Sequence, residues 1–154
     1  MSGSPTSRSD AGLFAASFDE LVEGAAFATE PRVVSDADVA AFAELSGDHH
    51  PLHVDDDWAR EGPFGRRIAH GMLVLSRAAG EIPFDPRRVR ALRRVRDAVF
   101  KRPVYPGEAI HVEGRVESLT PVDDAAGLVA CALDVRNTDG KLVARATIEL
   151  VWAR

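Results

Sequence analysis

The chain has 154 residues, of which 45% are hydrophobic and 28% are charged, so it has room for one compact domain and none for a second. Its formal net charge of −5 argues against a general nucleic-acid binder, because neutralising phosphates requires a basic face. A single cysteine, Cys131, excludes an intrachain disulfide and favours a reducing, cytoplasmic location. No apolar run approaches the length that spans a bilayer, so we expect no membrane association.

The amino-terminal part of the chain predicts a tail and then a short helix. Residues 1–12 contain Ser, Gly and Pro without an apolar run, so they predict a flexible tail before a domain of residues 13–154. Ser35 stands three positions before Asp38, which is the spacing of a capping box at a helix start. Gly47 can adopt the positive φ that ends such a helix.

The next segment, residues 45–53, holds one carboxylate and three imidazoles. Gly47 and Pro51 exclude a regular helix through it, and a proline biases the residue before it toward an extended conformation. We therefore predict a turn followed by a short extended arm. Asp48 and His53 can then face one space, where a carboxylate and an imidazole around a shared water provide general acid–base chemistry near neutral pH.

Further along, the periodicity changes from helical to extended. Residues 55–57 are aspartates that predict the cap of another short helix. Residues 70–79 are apolar on almost every side, so we expect a helix that is wrapped on most of its faces. Residues 105–107 predict a turn, and residues 109–152 alternate with period two, which indicates long antiparallel strands. Residues 137–140 supply a tight turn between the last two strands.

Three motifs in order resemble the MaoC-like, or (R)-specific enoyl-thioester hydratase, family of the hot-dog superfamily. They are Phe42–His53, Phe64–Leu73 and Phe100–Glu108, and the likeness extends over residues 18–152. The resemblance implies the α+β class and a single hot-dog fold, in which a long antiparallel sheet is wrapped around a central helix. One such sheet leaves an exposed edge and an incomplete acyl tunnel, so we expect a homodimer or a dimer of dimers. The chain departs from the family signature at His50, where the family has Asn.

The resemblance also implies an activity, the reversible hydration or dehydration of an enoyl or 3-hydroxyacyl thioester. Asp48 and His53 would be the catalytic acid–base pair. Gly71 opens the central helix, and its bare N–H at the positive end of the helix dipole would stabilise the thioester oxyanion. Supporting roles fall to Ser46, Gly47, His50 and His70. No redox or metal cofactor is implied, since coenzyme A or phosphopantetheine enters as part of the substrate.

Other interpretations of the same residues stay open. His53 and Asp55 could supply two ligands of a non-haem iron site, with His111 as a loose third, but a buried central helix does not belong to that architecture, and we expect no metal. Related hot-dog proteins hydrolyse thioesters, which is a second possible activity. A third hypothesis is a non-catalytic acyl-thioester-binding or assembly protein that has lost activity through His50.

A basic run occupies residues 87–102 of this acidic chain. It could bind the phosphates of coenzyme A or the acidic surface of an acyl carrier protein, and the candidate contacts are Arg93, Arg94, Lys101 and Arg102. The alternative is a solvated strand and loop face that is balanced by Asp85 and Asp97. The sequence does not separate the two carriers.

Overall fold

The computed structural model describes residues 10–154 of the chain. The predicted tail, residues 1–12, falls mostly outside this described part, and residues 10–12 begin the first helix. The helices are α1 (Asp10–Ala15), α2 (Asp36–Ser46), α3 (Pro51–Val54), α4 (Asp56–Arg60) and α5 (Gly71–Glu81), with a 3₁₀ turn at Phe18–Glu20. The strands are β1 (Ala26–Ala28), β2 (Arg32–Val33), β3 (Val89–Phe100), β4 (Ala109–Pro121), β5 (Ala126–Asn137) and β6 (Leu142–Ala153).

All strands belong to one antiparallel sheet, in the order β1-β4-β5-β6-β3, with β2 also paired to β4. The predicted meander is therefore confirmed, and so are its turns. At the last turn Gly140 has φ 74°, and its N–H donates to the carbonyl of Asn137 at 2.9 Å. At the turn before β4 the N–H of Glu108 donates to the carbonyl of Tyr105 at 3.0 Å.

The core lies between the sheet and α5, which packs on β4 and β6. The apolar side chains that α5 buries are Leu73, Val74, Leu75 and Ala78. Cys131 on β5 lies in this core, where burial raises the pKa of its thiol to about 12, so it is held as an unreactive thiol at neutral pH. Within the described residues no helix is both long enough and apolar enough to cross a bilayer.

An unpredicted element, α1, completes the core at one end. Phe14 is 1% exposed and its ring stacks on that of Trp152 with centroids 5.8 Å apart. The indole N–H of Trp152 donates to the carbonyl of Ala16 at 2.9 Å. The carboxyl end of β6 is therefore tied to the amino-terminal segment.

The prediction that α5 is covered on most of its faces is confirmed. The residues of α5 that are exposed form a single stripe of the helix, made of Met72, which is 58% exposed, Ser76 and Gly80. The edge strand β3 is likewise exposed at almost every position. The uncovered side of α5 and the free edge of β3 leave apolar surface in water.

Candidate active site

The end of α2 fixes the backbone of Asp48. Gly47 ends the helix with φ 79°, as the sequence predicted. The hydroxyl of Ser46 donates to the carbonyl of Phe42 at 2.6 Å and accepts the N–H of Asp48 at 3.1 Å. The N–H of His50 then donates to Oδ1 of Asp48 at 3.1 Å. The loop therefore fixes the backbone of Asp48 through Ser46 and orients its carboxylate through the backbone N–H of His50.

The extended arm predicted after Asp48 is wrong, because residues 51–54 form one helical turn, α3. Pro51 suits the first position of a helix, where its fixed φ fits and its missing N–H is not needed. His50 itself is extended, as expected before proline, and its Nδ1 accepts the N–H of Leu52 at 3.1 Å. The His50 ring also meets the ring of Trp58 edge-on at 5.3 Å. His50 is therefore the N-cap of α3, a position that Asn also suits.

The turn of α3 brings His53 opposite Asp48. Nδ1 of His53 lies 2.7 Å from the carbonyl of Ile68, so this nitrogen carries the proton and donates it to that oxygen. Nε2 is left bare, 4.0 Å from Oδ2 of Asp48. That separation is too long for a direct hydrogen bond but lets both atoms bind one water.

The charge states of the pair follow from their surroundings. The backbone N–H of His50 lowers the pKa of the exposed Asp48 carboxyl. Burial lowers the pKa of His53, which is 9% exposed, and the neighbouring His70 lowers it further. The hydrogen bond to the Ile68 carbonyl and, to a smaller extent, the charge of Asp48 raise it, but the pKa stays below the ordinary value. Near neutral pH the site therefore holds an ionised carboxylate and a neutral imidazole whose free nitrogen is a base.

His70 lies behind this pair and is 2% exposed. Its ring stacks on that of His53 with centroids 3.8 Å apart, and its Nε2 lies 3.0 Å from the carbonyl of Asp48, to which it donates. Its Nδ1 has no hydrogen-bond partner within residues 10–154. His70 thus holds the backbone of one member of the pair and the ring of the other.

These groups open into a cavity of about 360 Å³. It is lined by Phe42, Ser46, Asp48, His53, His70, Gly71, Met72 and Phe100. Gly71 is the first residue of α5, where backbone N–H groups lack acceptors within the helix, and His70 gives no side-chain cap. The predicted catalytic pair and the predicted oxyanion donor therefore meet in one cavity.

Sequence reasoning assigned no role to the aromatic wall of this cavity or to Arg67. The guanidinium of Arg67 contacts Asp36 at 2.7 Å, Asp56 at 2.6 Å and the carbonyl of His53 at 3.3 Å. It ties α2 and α4 to the backbone of His53. Both residues lie inside the motifs that resemble the family, which is the pattern that could have identified them. Arg67 lies in the motif Phe64–Leu73, and Phe100 is the first residue of the motif Phe100–Glu108.

The residues considered for a metal site divide into two groups. Asp55 accepts the N–H of Trp58 at 3.0 Å as the N-cap of α4, and His111 pairs with Glu113 at 3.4 Å, so both have structural partners. Asp48, His53 and His70 instead place one ligand-type atom each within 4.8 Å of one another. Nε2 of His70 donates to the carbonyl of Asp48. Of the three side chains, those of Asp48 and His53 therefore remain free to face the cavity.

The four candidate carrier contacts also differ in their surroundings. Arg93 pairs with Glu149, and Arg102 donates to the carbonyl of Leu142 at 2.8 Å. Lys101 and Arg102 line a second cavity, of about 320 Å³, beside the first. Arg94 and Lys101 are exposed, and no carboxylate of the described chain lies within ion-pair distance of them. Within this set Arg93 has an acidic partner and Arg102 is held by a backbone carbonyl, so Arg94 and Lys101 are left with neither kind of contact in the described chain.

Known proteins resemble this chain over most of its length. The sequence model of the MaoC-like domain family matches residues 3–135 of the chain. The 3-hydroxybutyryl-CoA dehydratase of Methylorubrum extorquens is 34% identical over 107 residues, 68% of this chain and 66% of that protein. The (R)-specific enoyl-CoA hydratase of Rhodospirillum rubrum is 33% identical over 107 residues, 68% of this chain and 72% of that one.

Similarity in structure covers more of the chain. A solved structure from Archaeoglobus fulgidus, described as a monoamine oxidase regulatory protein, superposes with a TM-score of 0.86 at 33% identity, over 90% of this chain and 95% of that one. Some relatives are much longer, and the match spans only 29% of the MaoC protein of Klebsiella aerogenes. The family match and the sheet wrapped on α5 agree, and the chain belongs to the MaoC-like dehydratase family, with the hot-dog fold.

Proposed function

We propose that this protein adds water to, or removes it from, the C2–C3 bond of an acyl thioester. The observation that carries the proposal is the pairing of Oδ2 of Asp48 with the bare Nε2 of His53, 4.0 Å apart in one cavity. An ionised carboxylate and a neutral imidazole at this distance can hold and polarise one water. Relatives that are named as hydratases and dehydratases support the same reaction class.

In the proposed hydration step, Nε2 of His53 takes one proton of the water as the hydroxide oxygen bonds to C3. The C2–C3 π electrons move toward the thioester carbonyl, and the resulting enolate accepts the proton from His53 at C2. Asp48 accepts a hydrogen bond from the other O–H of the water, which remains as the 3-hydroxyl group of the product, and stabilises the transient imidazolium. Dehydration is the same path in reverse, and the two protein groups end each cycle as they began.

The enolate oxygen needs a donor, and the N–H of Gly71 is the proposed one. It combines an unpaired backbone N–H with the positive end of the α5 dipole, which favours a developing negative charge. A positioned donor of this kind is worth roughly 3 kcal/mol of transition-state stabilisation. The reaction as proposed needs no redox cofactor, because water adds across C2–C3 without net oxidation or reduction. It needs no metal, because protein groups carry the proton transfers and stabilise the enolate oxygen.

We further propose that the working unit is at least a dimer. Strand β3 has a free edge on which Leu92, Val95 and Val99 are each at least 40% exposed, and Met72 on α5 is 58% exposed. A second copy would cover this surface and close the open side of the cavity. The coenzyme A or carrier-protein end of the substrate would lie near Lys101, and the protein would act in the cytoplasm.

The test is incubation of the purified protein with short, medium and aromatic enoyl thioesters, followed by product identification by mass spectrometry. The proposal predicts a 3-hydroxyacyl thioester with the thioester intact. It also predicts that Asp48→Asn and His53→Ala each lose about 10²-fold or more in kcat, a typical contribution of one acid–base group, while the exposed Asp57→Asn does not. Release of free thiol would favour hydrolysis, and no turnover of any substrate would favour a binding protein.

A further inference from the structure

Phe100 separates the catalytic cavity from its neighbour. Two residues, Gly71 and Phe100, line both the cavity of about 360 Å³ that holds Asp48 and the cavity of about 320 Å³ beside it. The Phe100 ring lies directly against Gly71, so closely that a Cβ added there would meet the ring at 2.9 Å. The ring therefore forms the partition between the two spaces, beside the proposed oxyanion donor.

The second cavity has the chemistry of an acyl-chain site. Its buried wall is made of apolar groups, and its charged groups, Lys101 and Arg102, are exposed. The apolar lining residues are Phe64, Ile68, Ala69, Val74, Val104 and Val143. Burial of methylene groups against such a wall removes them from water and is favourable, so a chain longer than four carbons would gain affinity by reaching it.

Phe100 lies on the surface of its own chain, on the strand that the proposed second copy would cover. In the single chain it is 48% exposed, so turning its ring does not open the core. The β3–β6 pairing is irregular just before it, with a register shift between Arg96 and Val99, and Asp97 has φ 53°. An irregular edge next to an exposed ring permits side-chain rearrangement at smaller cost than a regular, buried strand.

We propose that Phe100 gates the passage of the acyl chain from the catalytic cavity into the second cavity and thereby determines acyl-length specificity. The inference rests on the proposed function, since the chain must belong to a thioester whose C2–C3 bond lies between Asp48 and His53. With the ring against Gly71, short enoyl groups fit in the catalytic cavity alone. Longer groups are accepted only when the ring turns away.

The experiment compares four-carbon and eight-carbon enoyl thioesters in the wild type and two variants. Phe100→Ala removes the partition, and we expect the eight-carbon to four-carbon ratio of kcat/KM to rise at least tenfold. The double variant Phe100→Ala with Ile68→Phe fills the second cavity again and should return the ratio toward that of the wild type. An unchanged ratio in Phe100→Ala, or a raised ratio that survives the filling, would overturn the gate.

Two controls keep the result interpretable. Thermal unfolding shows whether Phe100→Ala has kept its fold. If it has not, Phe100→Leu, with a smaller but still apolar side chain, replaces it and should give a kcat/KM ratio between that of the wild type and the tenfold rise. The Kd values of the saturated four-carbon and eight-carbon thioesters give the same ratio without turnover. If the affinity ratio changes as predicted in Phe100→Ala but the wild type hydrates no substrate, the proposed function is refuted and the gate is not. If the wild type hydrates its substrates but neither the kcat/KM ratio nor the affinity ratio changes in Phe100→Ala, the gate alone is refuted.

Discussion

The proposed chemistry depends on His53, because its imidazole must be neutral to accept a proton from water. Its ring is buried, stacks on His70, and has one nitrogen committed to a carbonyl. Burial lowers its pKa and the carboxylate of Asp48 raises it. Since protonation of Nε2 removes the base, kcat/KM should fall on the acid side at a pH below the ordinary titration range of histidine.

A first prediction concerns that pKa directly. Asp48→Asn removes the negative charge that favours the imidazolium, so the pKa of His53 should fall further below its ordinary value. A histidine titration followed by NMR measures this without any need for activity. Asp57→Asn, an exposed carboxylate on α4, is the matched control and should leave the titration where it is. A His53 pKa that rises in Asp48→Asn would contradict the assigned electrostatics.

Among the elements, the short helix α3 carries the one departure from the family signature. His50 caps it through Nδ1 and reaches Asp48 through its backbone N–H, which any residue but proline provides. Asn is a good N-cap and keeps both contacts, so His50→Asn should retain activity and stability. His50→Ala loses the cap and should lower the free energy of unfolding by about 1 kcal/mol.

Urea unfolding and steady-state kinetics on the same two variants test this role. His49 is the matched control, since it is exposed and pairs with Glu44 at the surface, so His49→Ala should change neither measurement. If His50→Asn folds normally but loses turnover, the imidazole contacts substrate and the assignment of His50 as a cap alone is wrong.

Elements with a clear start signal or a regular alternation could be predicted from the sequence, and very short or fully exposed elements could not. The capping box at Ser35 and Asp38 is present as predicted, with its two bonds at 3.1 and 2.9 Å, and β4 to β6 follow from period two. Strand β3 is exposed on both faces and is interrupted by register shifts, so its sequence has no alternation of apolar and polar residues. The sequence therefore predicts only a basic run there, and not a strand. The arm after Pro51 was misjudged because proline both extends the residue before it and starts helices.

The candidate site shows the same division. Asp48 and His53 lie within six positions of each other, and local turn chemistry was enough to bring them together. The stack of His70 on His53 and the placement of Phe100 against Gly71 depend on the packing of α5 and the end of β3. Contacts of that kind join segments far apart in the chain, and no short pattern specifies them.

At the scale of the whole molecule, a testable consequence is assembly through the edge of β3. Leu92→Lys with Val95→Lys places charges on this edge and should convert a dimer to monomers in sedimentation velocity. Turnover should fall with it, because the cavity is open on that side. Val122→Lys, at another exposed apolar position, is the control and should stay dimeric. A wild type that sediments as a monomer with full activity would contradict the proposed assembly.

Recognition of the carrier is a second property of the whole surface. Arg94→Glu and Lys101→Glu remove charges that have no acidic partner in the described chain, so they should raise KM several-fold with little change in kcat. Rising salt should weaken the wild type in the same way through screening. Arg115→Glu, which alters an exposed charge on β4 between buried Gly114 and Val116, is the control. Kinetics that ignore both salt and substitution would place carrier recognition elsewhere.

The central claim is that Asp48 and His53 hold one water whose oxygen and proton are delivered to the same face of the substrate. Hydration of a four-carbon enoyl thioester in D₂O, stopped at low conversion, tests it through the relative configuration of C2 and C3 determined by NMR. A single diastereomer is predicted, with deuterium and hydroxyl added to the same face and both added groups lost again in the reverse reaction. Addition to opposite faces, or a mixture at C2, would show that the proton does not come from the Asp48–His53 pair and would contradict the account.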